Sequence, residues 1–313
     1  MQKVLVTGAA GFLGSNLCDR LIGDEYFVYG IDNLLTGNLN NLIHLKNESN
    51  FKFIETDISA GITPELEINF DHIYHLASPA SPPKYLALPV ETIHVNTVGT
   101  ENLLNHVKSF GGRLLFASTS EIYGDPIEHP QSESYWGNVN SVGPRSVYDE
   151  AKRLGETLVS LYQRENWADA AIIRIFNTYG PRLDPDDGRV ISSFLRDGIK
   201  GKPLTIYGDG TQTRSFCYVD DLISGIVKVM ASDLTGPINL GNPNEFTLLE
   251  LAEKVGRVLE IEPELKFAPL PQDDPKQRKP DINLAKHLLD WEPTIQLEEG
   301  LTKTSFWMRK ILN

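Results

Sequence analysis

Apolar residues in the first half of the chain fall into short, nearly unbroken runs. Between the runs lie longer stretches where they recur every three or four positions. The runs at 4–6, 27–31, 51–54, 73–76, 114–117 and 171–175 are rich in Val, Ile, Leu, Phe and Ala. Such runs suit strands buried on both faces, where neither side meets water. Helical patterns separate several of them, for example at 13–22 and 95–109. This alternation predicts an α/β fold, a doubly wound parallel sheet with helices on both faces. Beyond Arg174 the rhythm loosens, punctuated by Pro181, Pro185, Gly188, Pro203, Gly208 and Gly210. Helices are expected there at 221–231, 248–259 and 298–310, a strand at 238–240, and a Pro-rich stretch at 269–280. Residues 1–180, with 215–242 returning to them, are expected to form the sheet domain, and 181–214 with 243–313 a smaller C-terminal lobe.

Composition narrows the partners. Of 313 residues, 41% are hydrophobic and 23% charged, which is ordinary for a globular protein with one large core. The net charge of −13 argues against nucleic acid or an anionic membrane as partner, since either is repelled at long range. It leaves room for a small anion, because a few arginines in a cleft outweigh the global field locally. Cys18 and Cys217 have no paired spacing, so a reducing, cytoplasmic setting is expected and no disulfide. The seven histidines show no ligand spacing; His72 and His75 point to opposite faces of one strand, and no metal is expected. Met1-Gln2-Lys3 runs straight into the first strand, leaving no space for a signal peptide, and no apolar run approaches the ~18 residues of a membrane span.

Chemistry enters with Val6-Thr7-Gly8-Ala9-Ala10-Gly11-Phe12-Leu13-Gly14, which follows a strand and opens a helix. Gly8 allows the tight turn, Gly11 lets backbone approach a pyrophosphate, and Gly14 lets helix pack on strand, a Rossmann-type dinucleotide site. Asp32 ends the second strand, where a carboxylate accepts from an adenosine ribose and repels a 2′-phosphate, favouring NAD over NADP. Asp57, after the third strand, is placed to meet the adenine edge. Tyr148 and Lys152 stand one turn apart on a predicted helix, so they share a face. A free tyrosine titrates near ~10, but a neighbouring ammonium and a nicotinamide cation would make it a usable base. Alone, such a pair is usually a surface feature; beside the glycine motif it becomes specific. Ser118-Thr119-Ser120-Glu121 follows a strand at the carboxyl end of the sheet, where hydroxyls can hold a substrate oxygen. Arg182, Arg189, Arg214 and Arg278 would bind a diphosphate if they converged, whereas any single one is more often a solvated charge.

Together these motifs resemble the extended short-chain dehydrogenases and, more narrowly, the UDP-glucuronate decarboxylases (UDP-xylose synthases). The segments that carry the resemblance include residues 75–83 (His75-Leu76-Ala77-Ser78-Pro79), Ser118-Thr119-Ser120-Glu121-Ile122-Tyr123-Gly124, Tyr148-Asp149-Glu150-Ala151-Lys152-Arg153 and residues 174–182. Asp187-Gly188-Arg189-Val190, Leu204-Thr205-Ile206-Tyr207-Gly208, Gln212-Thr213-Arg214, Asn239-Leu240-Gly241-Asn242-Pro243 and residues 272–281 complete it over nearly the whole chain. The resemblance implies that Gly8, Gly11, Phe12, Leu13, Gly14, Asp32, Asn33, Thr36, Gly37, Asp57, Ile58, Leu76, Ala77, Ser78, Tyr148, Lys152, Thr178 and Arg189 contact NAD. It implies a UDP-sugar held by Asn177, Val190, Tyr207, Gln212, Arg214 and Arg278, with Tyr207 stacked on uracil. Thr119, Ser120, Glu121, Tyr148, Lys152 and Arg214 would form the catalytic set, in a homodimer paired through helices near 95–109 and 148–164. Many of these decarboxylases carry Lys where this chain has His94, a weaker and pH-dependent cation. The expected reaction is oxidation at C4 of UDP-glucuronate, loss of carbon dioxide from the 4-keto acid, and return of the hydride. A 4,6-dehydratase or 4-epimerase of the same family is the alternative, and an NAD-binding sensor without catalysis a further one, disfavoured by the presence of both Tyr148 and Lys152.

Overall fold

A computed structural model describes residues 1–270 and 277–312. Six strands, β1 (Lys3–Thr7), β2 (Phe27–Asp32), β3 (Phe51–Glu55), β4 (His72–His75), β5 (Arg113–Thr119) and β6 (Asp169–Ile175), join Ile238–Leu240 in one sheet. From one edge the order is Ile238–Leu240, β6, β5, β4, β1, β2, β3, and every pairing is parallel. The winding reverses between β1 and β4, so a crevice opens above the carboxyl ends of those two strands.

Alternate residues of each strand feed separate cores. Val4, Val6, Leu115, Ala171 and Ile173 pack on one side, in the cluster that holds Leu17 and Leu21 of α1 (Phe12–Gly23). Leu5, Ile73, Leu114, Phe116 and Ile172 pack on the other. The helices α2 (Pro82–Ala87), α3 (Pro89–His94), α4 (Thr100–Phe110) and α5 (Ser146–Arg164) follow in the chain. Leu103, Leu104 and Val107 of α4 and Val159 and Tyr162 of α5 belong to that second core.

The later elements are α6 (Val190–Ile199), α7 (Val219–Met230), α8 (Leu248–Leu259), α9 (Asn283–Leu289) and α10 (Leu297–Leu312). Thr247 and Glu250 form a reciprocal cap at the start of α8, each side chain bonding the other's backbone N–H. Short strand pairs, Leu204–Tyr207 with Leu265–Ala268 and Thr213–Ser215 with Glu245–Thr247, carry residues to the mouth of the crevice. Phe194, Leu251, Val255, Leu301 and Met308 of the C-terminal part lie in the same apolar cluster as Val4 and Val6. The core is continuous across both parts of the chain.

Four elements differ from the sequence reading. The helix expected at 95–109 begins earlier, at Pro89, and is interrupted by a π-helical turn at Val95–Gly99. There the buried Asn96 amide donates to the Thr92 carbonyl (2.8 Å) and to Ser78 Oγ (2.9 Å). The strand expected to stop at 117 runs on through Thr119, so Ser118 and Thr119 are strand residues. Helices α6 and α9 form where no regular element was expected, because prolines and glycines around them masked their apolar spacing. Residues 272–276 of the matched segment lie outside the described residues.

Gly14 is where the fold tolerates least. A Cβ there would stand 2.0 Å from the Gly8 carbonyl oxygen, a backbone atom that cannot yield. Gly14→Ala should therefore lose about 1–3 kcal/mol despite alanine's better helix propensity, which is worth only about 1 kcal/mol. Urea unfolding and NAD retention on gel filtration check this, and both should fall together.

Candidate active site

The residues expected to hold cofactor and substrate, His94 excepted, line one cleft of about 1660 Å³ above the sheet. That exceeds the roughly 300–1,000 Å³ of an ordinary small-molecule pocket and suits two ligands in line. At one end the chain turns at Gly8, whose φ is +72°, into α1. No side chain caps that helix, so its first N–H groups face the cleft as an anion site.

Asp32 closes this end. Its carboxylate accepts from Ala10 N (3.0 Å) and Leu34 N (2.8 Å), while burial pushes its pKa up against them. Gly37 packs against it so closely that a Cβ would lie 2.7 Å from Asp32 Oδ1. Asp57 accepts from Ser59 N (2.8 Å) and from the Asn33 amide (3.0 Å). Burial would raise the Asp57 carboxyl, but these bonds and the charge of His94 hold it below the usual range. His94 is exposed, and its charge acts on Asp57. Anionic cradle, bare helix terminus and fixed carboxylate together fit an NAD molecule.

Tyr148 lies in the first turn of α5, buried and stacked on Tyr85 with ring centroids 5.1 Å apart and planes 4° apart. Burial pushes its phenol well above the ordinary value, and the pull the other way comes from a hydrogen bond with Thr119 and from Arg189. Lys152 does not supply that pull. Its Nζ donates to the Ala117 carbonyl (2.7 Å) and sits 5.9 Å from the Tyr148 ring centroid. Burial lowers the Lys152 ammonium to about 7, with Glu156 opposing. The two groups share a face, as the helical spacing predicts, and in this structure the ammonium is turned to the strand.

Glu121 stands in a short 3₁₀ turn after β5, its N–H bonded to Thr119 Oγ1 (3.2 Å). One carboxylate oxygen is bonded by Arg145 and the other by Arg278. Burial would raise this carboxyl, but the two guanidinium groups outweigh it and hold it at about 2. Arg278 is delivered by a clamp: Gln131 exchanges bonds with Lys279 (both 2.9 Å), and the Asn239 amide donates to the carbonyls of Gln131 and Asp281 (both 3.0 Å).

The remaining candidates are spread along the far wall. Arg189 is ion-paired with Asp187, and Arg214 Nη1 donates to the Thr213 carbonyl (2.9 Å). Tyr207 is 47% exposed at the mouth, its carbonyl accepting from the Gln212 amide. Asn177 takes the Cys217 N–H on its carbonyl (2.9 Å), and Thr178 Oγ1 donates to Phe176 O (2.8 Å). Arg182 lies at the other end, paired with Asp19 of α1. Sequence reasoning missed Arg145, Tyr85 and Asp149. None has a spacing that marks it; only the fold brings the N-terminus of α5 and the side of α2 against Glu121.

With that geometry the comparisons agree. The sequence profile described as the NAD dependent epimerase/dehydratase family matches residues 4–241. A protein called UDP-glucuronic acid decarboxylase 1 in Arabidopsis thaliana is 52% identical over 312 residues, covering 99% of this chain and 71% of that one. Its namesake in Xenopus tropicalis is 48% identical over 311 residues, covering 99% and 73%. Among solved structures, a UDP-glucuronic acid 4-epimerase from Bacillus cereus, in complex with UDP-glucuronic acid and NAD, has a TM-score of 0.91 at 31% identity, over 99% of this chain and 100% of that one. The UDP-glucose 4-epimerase of Thermotoga maritima, with UDP-glucose, has a TM-score of 0.90 at 29% identity over the full length of both. Matched along most of its length by the profile and over nearly all of it by these relatives, the chain belongs to the NAD dependent epimerase/dehydratase family.

Proposed function

We propose that the protein is an NAD-dependent UDP-glucuronate decarboxylase that releases UDP-xylose and carbon dioxide. The observation that carries this reading is Glu121, a carboxylate fixed between two guanidinium groups next to Thr119 and Tyr148. A 4,6-dehydratase must protonate a departing hydroxyl, and a carboxyl that two guanidinium groups hold in its charged form is poorly suited to that step. A carboxyl leaving as carbon dioxide needs no such acid. The relatives at about half identity carry the decarboxylase name, which supports the same choice. Likeness to 4-epimerase structures does not discriminate, since sheet and cleft serve both reactions.

When bound, NAD supplies the hydride acceptor for C4 of the sugar and gives the hydride back at the end. Tyr148 takes the proton from O4 and returns it, and Thr119 holds O4 beside it. Lys152, its ammonium anchored on Ala117, fixes the ribose side of the cofactor. The 4-keto acid then breaks its C5–C6 bond; carbon dioxide departs and the electron pair forms an enolate, stabilised at O4 by Tyr148 and Thr119. A proton at C5 completes the five-carbon sugar. Gly8, Gly11, Gly14, Asp32, Gly37 and Asp57 serve the cofactor, while Asn177, Val190, Tyr207, Gln212, Arg214 and Arg278 serve the UDP-sugar. In this reading residues 1–180 with 215–242 carry the dinucleotide, and 181–214 with 243–313 the nucleotide sugar.

A cytoplasmic homodimer is part of the proposal. No helix among the described residues is long and apolar enough to cross a membrane. Val90 and Ile93 of α3 and Leu154 of α5 are 56%, 41% and 49% exposed. A second copy packing through these helices would cover them.

Tyr148→Phe should keep NAD bound while lowering hydride transfer by about 10³-fold, read as reduced NAD in a single turnover. Glu121→Gln should lower carbon dioxide release by about 10²-fold without loss of NAD. Because Arg278 and Arg145 hold the Glu121 carboxyl of the free protein below its unfolded value, the carboxylate is lost only in strong acid, and a kcat/KM–pH profile should show no limb from it above about pH 4. Leu154→Lys should run as a monomer by light scattering.

A further inference from the structure

Glu121 is held from two directions that differ in kind. Arg278 comes from a segment clamped by Gln131 and Asn239, and its Nη2 is buried with no hydrogen-bond partner. It therefore has a donor to offer a ligand in the cleft that it lines. Arg145 is part of the helix that carries Tyr148: its carbonyl accepts from Tyr148 N (3.0 Å) and Asp149 N (3.1 Å). Its side chain reaches across to Glu121 and is only 14% exposed. One residue thus ties the first turn of α5 to the turn after β5, the two places from which the reacting groups project.

Charge gives this tie a second consequence. A carboxylate at Glu121 would by itself repel a sugar acid entering the same cleft. With one guanidinium on each oxygen, the group of three carries a net positive charge. If the diphosphate of the nucleotide draws Arg278 toward itself, Arg145 is the described guanidinium that stays bonded to Glu121, with Arg189 acting through its charge alone.

We propose that Arg145 is a positioning residue: it holds Glu121 in place and offsets its charge while Arg278 engages the nucleotide, so that a carboxylate substrate is accepted beside a carboxylate side chain. This rests on the decarboxylase reading and on Arg278 as a diphosphate ligand. Among the described residues, the charged and titratable groups facing Glu121 are Arg145, Tyr148 and Asp149 of α5, Tyr85 of α2, Arg189 before α6, and Arg278. Among the described residues, removal of Arg145 leaves Arg278 and Arg189 as the cations beside Asp149, Tyr148 and Tyr85.

The test compares wild type, Arg145→Gln and Arg145→Lys, each loaded with NAD. Arg145→Gln should lower kcat for carbon dioxide release about 10²-fold. It should also raise the acid limb of the kcat–pH profile by about 1–3 pH units, because Glu121 loses a neighbouring cation and is protonated at higher pH. Arg145→Lys, which restores the charge without the fork, should recover part of the rate and most of the limb. A merely structural role would lower the rate with the limb unmoved, and that result overturns the proposal, as does a Gln variant with unchanged kcat. A second measurement does not need turnover. On calorimetric titration with UDP at about pH 5, in buffers of different ionisation enthalpy, Arg145→Gln should take up more proton than wild type. Equal proton uptake in both overturns the role of Arg145 even if the decarboxylase reading stands. If UDP-glucuronate is not consumed but the uptake differs, the decarboxylase reading fails alone.

Discussion

Because the inner strands of the sheet have a hydrophobic core on each side, most of the polar chemistry is left to the strand ends. Val4 and Val6 face one core while Leu5 faces the other, and the same alternation repeats in β5 and β6. The first residues freed from it are Gly8 after β1, Asp32 at the end of β2, Leu76 after β4, and Thr119 at the end of β5. Parallel strands put all of these ends on one side of the molecule, and the reversal between β1 and β4 separates the helices there enough to leave a cleft. The position of the site is thus a consequence of burial, and its chemistry of what caps each strand.

Electrostatics then works against the sign of the whole protein. A net charge of −13 would repel both a dinucleotide and a nucleotide sugar acid, yet the cleft holds Arg145, Arg189, Arg214 and Arg278. Most of these cations are already engaged: Arg189 with Asp187, Arg145 and Arg278 with Glu121. Such pairing keeps guanidinium groups in fixed geometry before a ligand arrives, so less order has to be imposed at binding. Burial sets the rest. It drives the phenol of Tyr148 up and the ammonium of Lys152 down to about 7, so burial favours the less charged form of each.

Much of this could be read from residue order. Apolar runs located all six of the first strands, and the glycines around α1 marked the dinucleotide end, because strand burial and backbone approach depend on local residue type. The strand-end hydroxyls and the Tyr148–Lys152 pair were also visible, as was the likeness of the whole chain to the decarboxylases. What escaped was contact between distant segments. Arg145 is an unremarkable loop arginine until α5 docks beside the turn after β5, and Tyr85 gains meaning only when it stacks on Tyr148. The direction of Lys152 escaped for a related reason: helical spacing fixes the face of a side chain but not which acceptor its end finds, here the carbonyl of Ala117. Helix α6 was hidden by the prolines and glycines that precede it, although its Ile191, Phe194 and Leu195 are fully packed.

The apolar cluster that runs without a break from Val4 and Val6 through Phe194 and Val255 to Met308 has a mechanical meaning. A gap between two separately cored bodies can gape and shut by hinge motion, whereas a slot cut into a single core cannot widen without breaking packing all along its floor. Access for a bulky nucleotide therefore falls to the rim, where exposed Tyr207 and the segments flanking it can shift at little expense. By the same token the slot and the sheet beneath it should melt as one unit, and damage to α8 or α10, far from any reacting atom, would be felt at the glycine turn of β1.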